Sequence, residues 1–220
     1  MEYFEKALSA GKDVLYIGFS EALSGSYSAS LLAKEELKTK YPDAKIITLC
    51  SLAASLGEGL LVYYAAQNQA AGMSIDDNYQ WLSDHALNIA HWFTVDDLYH
   101  LKRGGRVTPV AAFMGTMLNI KPLLHCDNEG KLIPKEKIRT HKKVYDRMVA
   151  IFDETAKSPN GKPQVVFISH ANNPEGAEQL ASMLRDKPEV KEIVTSMISP
   201  IIGSHTGGGT VALFYYAEHR

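Results

Sequence analysis

Short apolar runs that alternate with helical patterns constrain this chain more than any other feature. Residues 14–19 read VLYIGF, a continuous apolar run that follows Asp13 and precedes a hydroxyl-rich stretch. A strand with no polar face belongs in a covered sheet. A short helix over 2–10, closed by Gly11, precedes it, and a helical pattern over 26–40 follows. A second apolar run at 45–50 leads into a long apolar helix predicted over 51–71, with Gly57 and Gly59 near its start and Gly72 at its end. Ser74 then caps a helix expected to reach Asn88. Strand–helix alternation of this kind predicts an α/β protein. Two strands are too few to cover both faces of a parallel sheet, so this part reads as though its beginning were missing.

The pattern changes near residue 89. Residues 89–95 alternate as a strand, and the runs 120–126 and 131–139 flank the turn Asp127-Asn128-Glu129-Gly130 as a hairpin. A helix ending near Lys157, a strand at 165–170, a helix opened by Asn173-Pro174 and reaching about Asp186, and strands at 190–199 and 211–217 complete the pattern. The expected division is a parallel-sheet α/β unit over 1–89 and a mixed α/β unit over 90–220.

Composition removes several function classes. A net charge of −2 with 22% charged residues argues against a nucleic-acid surface or a polybasic membrane anchor. No apolar run approaches a membrane span, and the first residues do not resemble a signal peptide. Cys50 and Cys126 lie in apolar strand-like runs and read as buried thiols in a reducing cytoplasm, with no disulfide or metal site. His85, His91 and His100 show no metal-ligating spacing, and no cofactor is indicated.

Three stretches carry chemistry. Ser20, Ser24, Ser26 and Ser28 crowd the junction of a strand end and a helix start, where α/β sheets bind ligands and free N–H groups favour anions. Capping alone needs one serine. Second, Arg103 and Arg106 bracket Gly104-Gly105, a pair that can turn sharply and aim backbone N–H groups at a ligand. The compact apolar run 110–118 and the string Asn119-Ile120-Lys121-Pro122 follow. Third, His205 stands just before Gly207, Gly208 and Gly209, a composition that exposes backbone. Ester or thioester hydrolysis by Ser20 or Ser24 with His205 as base is the alternative chemistry. It lacks an evident acid, and the string Gly18-Phe19-Ser20-Glu21-Ala22 lacks the second glycine of a nucleophile elbow. A phosphate-binding Gly-x-x-x-x-Gly-Lys-Ser/Thr string is absent.

Read in order, these stretches resemble the DegV family of bacterial fatty-acid-binding proteins. The family's Ser-Gly-Leu-Ser-Gly-Thr-Tyr loop is matched by 21–27, EALSGSY, and its Ser-x-Gly-x-Gly helix start by 55–59, SLGEG. Leu-Lys-Arg-Gly-Gly-Arg and Leu-Asn-Ile-Lys-Pro occur unchanged at 101–106 and 118–122, and His-Thr-Gly-Pro-Gly is matched by 205–209 with Gly208 in place of proline. Ala22 and Cys50 also depart from the pattern, and the family's first strand and its Thr-Ser-x-Pro-Ser loop have no counterpart here. The resemblance therefore implies a two-domain DegV-like fold with a truncated parallel-sheet amino-terminal domain. It also implies that 14–19 or 45–50 is an open strand edge, unpaired or paired in a dimer.

What the resemblance implies for function is a non-catalytic, cytoplasmic carrier. It would hold a long-chain fatty acid in a tunnel and present the carboxylate to the catalytic subunit of a fatty acid kinase, with peripheral membrane contact for ligand exchange. By family position Ser24 and His205 contact the carboxylate, together with Gly25, Ser26 and Thr206, while Arg106 or Arg103 fixes loop and charge. Phe113, Met114, Met117, Leu118 and Ile120 would line the tunnel.

Overall fold

The computed structural model describes residues 1–107 and 120–220. Two sheets organise them. Strands β1 (Val14–Gly18) and β2 (Ile46–Cys50) pair in parallel, from Val14 opposite Ile46 to Gly18 opposite Cys50. Among the described residues they pair with no other strand, so each has one open edge.

The second sheet has six strands: β3 (Ile89–Thr94), β4 (Lys121–Cys126), β5 (Leu132–Ile138), β6 (Gln164–His170), β7 (Val190–Met197) and β8 (Val211–Tyr216), in the order β5-β4-β3-β8-β6-β7. Only the β6–β7 pair is parallel. This is the mixed α/β architecture that the sequence predicts.

Period-two burial explains why β8 is central. Ala212, Phe214 and Tyr216 join the core on one face, and Val211, Leu213 and Tyr215 join the core on the other. Helices α6 (His141–Thr155) and α7 (Pro174–Leu184) cover the second face through Val144, Met148, Phe152, Leu180 and Leu184. On the first face lies α3 (Leu56–Ala70), whose Leu60 and Leu61 are fully buried. Each such side chain contributes about 1.5–3 kcal/mol. Helix α3 touches β1 as well as β3, β6 and β8, and Leu49 of β2 belongs to the same core cluster. Helix α4 (Ile75–His85) packs beside α3. Beyond the small sheet, α1 (Glu2–Ser9) and α2 (Ser26–Lys40) enclose Phe4, Leu8, Ala33, Leu37 and Ile46.

Local chemistry sets the element ends. The Ser74 hydroxyl accepts from the Asp77 N–H at 3.1 Å, and the Asn173 side chain accepts from the Gly176 N–H at 3.0 Å with Pro174 in the first turn. One helix start needs correction, and two short helices were not foreseen. The helix predicted from residue 51 starts at Leu56, because Leu52 and Ser55 take positive φ values of 51° and 54° that no helix accommodates. Residues 200–206, for which the sequence predicts no helix, form helix α8 (Pro200–Thr206), with Ser199 as its cap. A further short helix, α5 (Leu98–Arg103), precedes the Gly-Gly turn and is capped by Asp97. Both cysteines are free, but Cys50 is only half-buried, whereas burial pushes the Cys126 thiol up to about 12.

Candidate functional site

The serine loop connects β1 to α2 and is pinned from within. The Ser20 hydroxyl is fully buried and donates to the Gly130 carbonyl at 2.8 Å, which ties the loop to the β4–β5 hairpin. Ser20 is therefore a structural clamp. The Ser24 hydroxyl lies 3.2 Å from the Ser26 hydroxyl and accepts from the Ser26 N–H, at the start of α2. Gly25 is the residue that precedes the helix.

The second wall is built by α5, the Gly-Gly turn and α8. Gly105 has φ +70°. Gly104 approaches α8 so closely that an added Cβ would stand 2.7 Å from the His205 carbonyl oxygen. The Gly104 carbonyl accepts from Arg106 Nη1 at 3.0 Å and faces His205 Nδ1 at 3.1 Å. A carbonyl cannot donate, so Nδ1 carries the proton. That leaves Nε2 as the ring nitrogen without a hydrogen-bond partner among the described residues. Arg106 Nε reaches the Leu23 carbonyl at 3.4 Å, so one guanidinium joins the serine loop to the Gly-Gly turn. We expect Gly104→Ala to force α5 and α8 apart and to lower the unfolding free energy by about 1–3 kcal/mol. An unchanged urea midpoint would show that the two helices are free to separate.

Between these walls is a cavity of about 560 Å³. Its polar lining is Ser24, Ser26, Ser55, Glu58, Arg106, Ser199, His205 and Thr206; its apolar lining includes Phe19, Leu23, Leu56, Leu101, Leu132, Met197, Ile198, Ile201 and Ile202. It adjoins a smaller chamber of about 50 Å³ with which it shares Ser55, Leu132, Ile198, Ile202 and Thr206. That chamber reaches Phe93, Phe214 and the buried His91 on the six-stranded sheet. The Ser55 hydroxyl meets that of Ser169 at 3.1 Å across the gap, and Ser55 holds a rare backbone conformation (φ 54°, ψ −135°), the kind of strain that clusters at ligand sites. Gly57 shows why a glycine stands near the start of α3: a Cβ there would lie 2.3 Å from the His91 ring. Two other grooves, of about 510 and 560 Å³, lie beside Trp81 and beside Leu15, away from the serine loop.

Ser24, Ser26, Arg106, His205 and Thr206 thus come together on one cavity. Arg103 does not line it; its side chain is 70% exposed and lies 3.8 Å from Asp97. Phe113, Met114, Met117 and Leu118 fall outside the described residues, and Ile120 is half-buried just before β4. Glu58, Ser55, Met197, Ile201 and Ile202 were missed by sequence reasoning. The Ser-x-Gly-x-Gly string held the signal for the first two; Pro200 after a serine cap held it for α8. Burial raises the Glu58 carboxyl to about 7. No serine is hydrogen-bonded to His205 among the described residues, and the Ser20 hydroxyl is already committed to Gly130. Among the same residues no group of three or more His, Cys, Asp or Glu side chains could hold a metal, and no helix is long and apolar enough to cross a membrane.

A mixed α/β scaffold with a cavity lined by both polar and apolar side chains is suited to binding a small amphipathic molecule. The family model described as an uncharacterised protein of the DegV family matches residues 1–218. This chain belongs to the DegV family. It is 45% identical over 220 residues to a DegV domain-containing protein of Clostridium perfringens, covering all of this chain and 75% of that protein. Among solved structures, a DegV family protein from Thermus thermophilus, described for its fatty acid binding, superposes with a TM-score of 0.87 at 27% identity, over 98% of this chain and 75% of that one. DegV of Bacillus subtilis, described as a fatty acid binding protein, gives a TM-score of 0.79 at 30% identity, over 99% and 74%.

Proposed function

We propose that this chain is a fatty-acid-binding carrier that holds a long-chain fatty acid without transforming it. The observation that carries the reading is the cavity itself, in which hydroxyls, a guanidinium, an imidazole and the Glu58 carboxyl share the lining with a larger number of apolar side chains. Its volume of about 560 Å³ falls within the usual range for small-molecule sites. The carboxylate is held by the Ser24 and Ser26 hydroxyls and by His205 through Nε2, with Arg106 fixing the loop and supplying charge. Gly25 and Thr206 complete the head-group site. The acyl chain follows the apolar lining, and each buried methylene contributes about 0.8 kcal/mol. The fatty acid binding described for the family's solved structures supports the same ligand class.

The carboxylate stays near the serine loop, where a second protein can reach it. We assign that role to the catalytic subunit of a fatty acid kinase, which makes the acyl phosphate, with membrane contact for ligand exchange. The two free thiols support a cytoplasmic setting. The units 1–89 and 90–220 provide the two sides of the site, and the open edge of the β1–β2 sheet is a surface for dimerisation.

Native mass spectrometry of the purified chain, followed by extraction of any retained lipid, tests the reading. A bound fatty acid at one per chain is expected. Failure to bind any saturated or unsaturated fatty acid offered from solution would sink it.

A further inference from the structure

Glu58 stands out among the residues lining the cavity. It lies in the first turn of α3, and among the described residues no hydrogen bond or ion pair involves its carboxyl group. The guanidinium that shares the cavity, Arg106, donates to the carbonyls of Leu23 and Gly104. An acidic side chain thus shares a cavity with the residues that would hold an acidic ligand. Two carboxylates in one partly dehydrated space repel each other, and an acyl chain that fills the cavity removes the water that screens them.

We propose that Glu58 makes capture of the fatty acid proton-coupled: the ligand binds as its anion, and the Glu58 carboxylate takes one proton from solvent as the cavity fills. This rests on the carrier reading above. The charge balance is closed, because one negative charge and one proton enter together. No covalent bond changes. The titratable groups that face Glu58 across the cavity are Arg106, from the turn after α5, and His205, from α8; the α2 side offers only serines. Arg106 stays charged throughout. With Nδ1–H committed to the Gly104 carbonyl, His205 donates from Nε2 only as the imidazolium. The dipole of α3 favours the ionised form of Glu58, but it cannot replace the lost hydration.

The sign follows from linkage. In the empty protein burial already raises the Glu58 carboxyl to about 7. Ligand raises it further. Between these two values the bound form carries more protons than the free form, so affinity falls as pH rises through and above 7. Below about 6 Glu58 is neutral in both forms and contributes no slope.

The test is calorimetric titration of the intact chain with decanoate, kept below its aggregation limit, at pH 6 and pH 8, in buffers of different ionisation enthalpy. Wild type and Glu58→Gln are compared, because the amide keeps the size and removes the titration. At pH 8 wild type should take up close to one proton more per decanoate than Glu58→Gln. The ratio of Kd at pH 8 to Kd at pH 6 should be about tenfold larger in wild type. The contribution of decanoate itself is common to both proteins and cancels, and the same comparison in a His205→Gln background removes that of the imidazole. Equal ratios and equal proton uptake in the two proteins would overturn the proposal while leaving the carrier reading intact. If neither protein binds decanoate or a longer fatty acid at either pH, the carrier reading fails and this proposal with it.

Discussion

Replacing Arg220 with alanine lowers the unfolding free energy by about 3 kcal/mol, read as a reduced urea midpoint with an unchanged slope. The size of this loss follows from what the guanidinium touches. Nη1 donates to the Leu52 carbonyl at 2.6 Å and to the Asp127 carbonyl at 3.1 Å; Nη2 donates to Ala86 at 2.8 Å and Nε to Ile89 at 3.0 Å. One side chain therefore fastens the loop before α3, the turn before β3, the start of β3 and the β4–β5 hairpin. Burial disfavours its charge, and among the described residues no salt bridge offsets that. The four carbonyls do so instead. Removing the guanidinium strands them in a region with limited access to water. Arg220→Lys restores a charge but not the planar fork, so it should recover less than half of the loss. A midpoint within 0.3 M of wild type in Arg220→Ala, on the order of 0.5 kcal/mol at ordinary slopes, would show that water replaces the guanidinium without cost.

The second large effect is on binding. The double variant Ser24→Ala/His205→Ala should weaken fatty acid affinity by about a hundredfold, with each single change responsible for about tenfold. Ser24 supplies a hydroxyl at the start of α2, and His205 supplies Nε2 from the opposite wall. A carboxylate held between them, as proposed, would be gripped from two sides, and hydrogen bonds to a charged group are the stronger kind. The apolar lining is untouched by either change, so some affinity remains. Fluorescence displacement of a bound acyl probe reads the loss. A double variant that binds as tightly as wild type would move the carboxylate away from this end of the cavity.

Much of the architecture was legible because burial on both faces leaves long apolar runs. Residues 14–19, 165–170 and 211–217 were each read within a residue or two of β1, β6 and β8, since the side chains of β6 and β8 alternate between the two large cores and those of β1 between one of these and the small core under α1 and α2. The helix starts were harder. Ser51 through Ser55 contain good helix formers, and only the tertiary demand for left-handed Leu52 and Ser55 delays α3 to Leu56. Helix α8 was hidden by its own surroundings: Gly203 lies within it and three glycines follow it, so composition spoke for a loop. The Ser199–Pro200 cap was the contrary signal. The cavity was half legible. Ser24, Arg106 and His205 stood out by chemistry and by family motif. Glu58 and Ile201 did not, because the face that each turns to the cavity depends on how α3 and α8 pack.

The placement of α3 has a consequence for how the protein responds to ligand. Leu60 and Leu61 join Leu49 of one sheet and Phe214 of the other in one apolar cluster. Neither sheet can lose its cover without uncovering the other, so the two share a single melting transition. A molecule that binds only the folded form then stabilises the entire chain by mass action, by about 2.7 kcal/mol at a hundred times its Kd. The melting temperature of the whole protein thereby becomes a gauge of occupancy in one cavity.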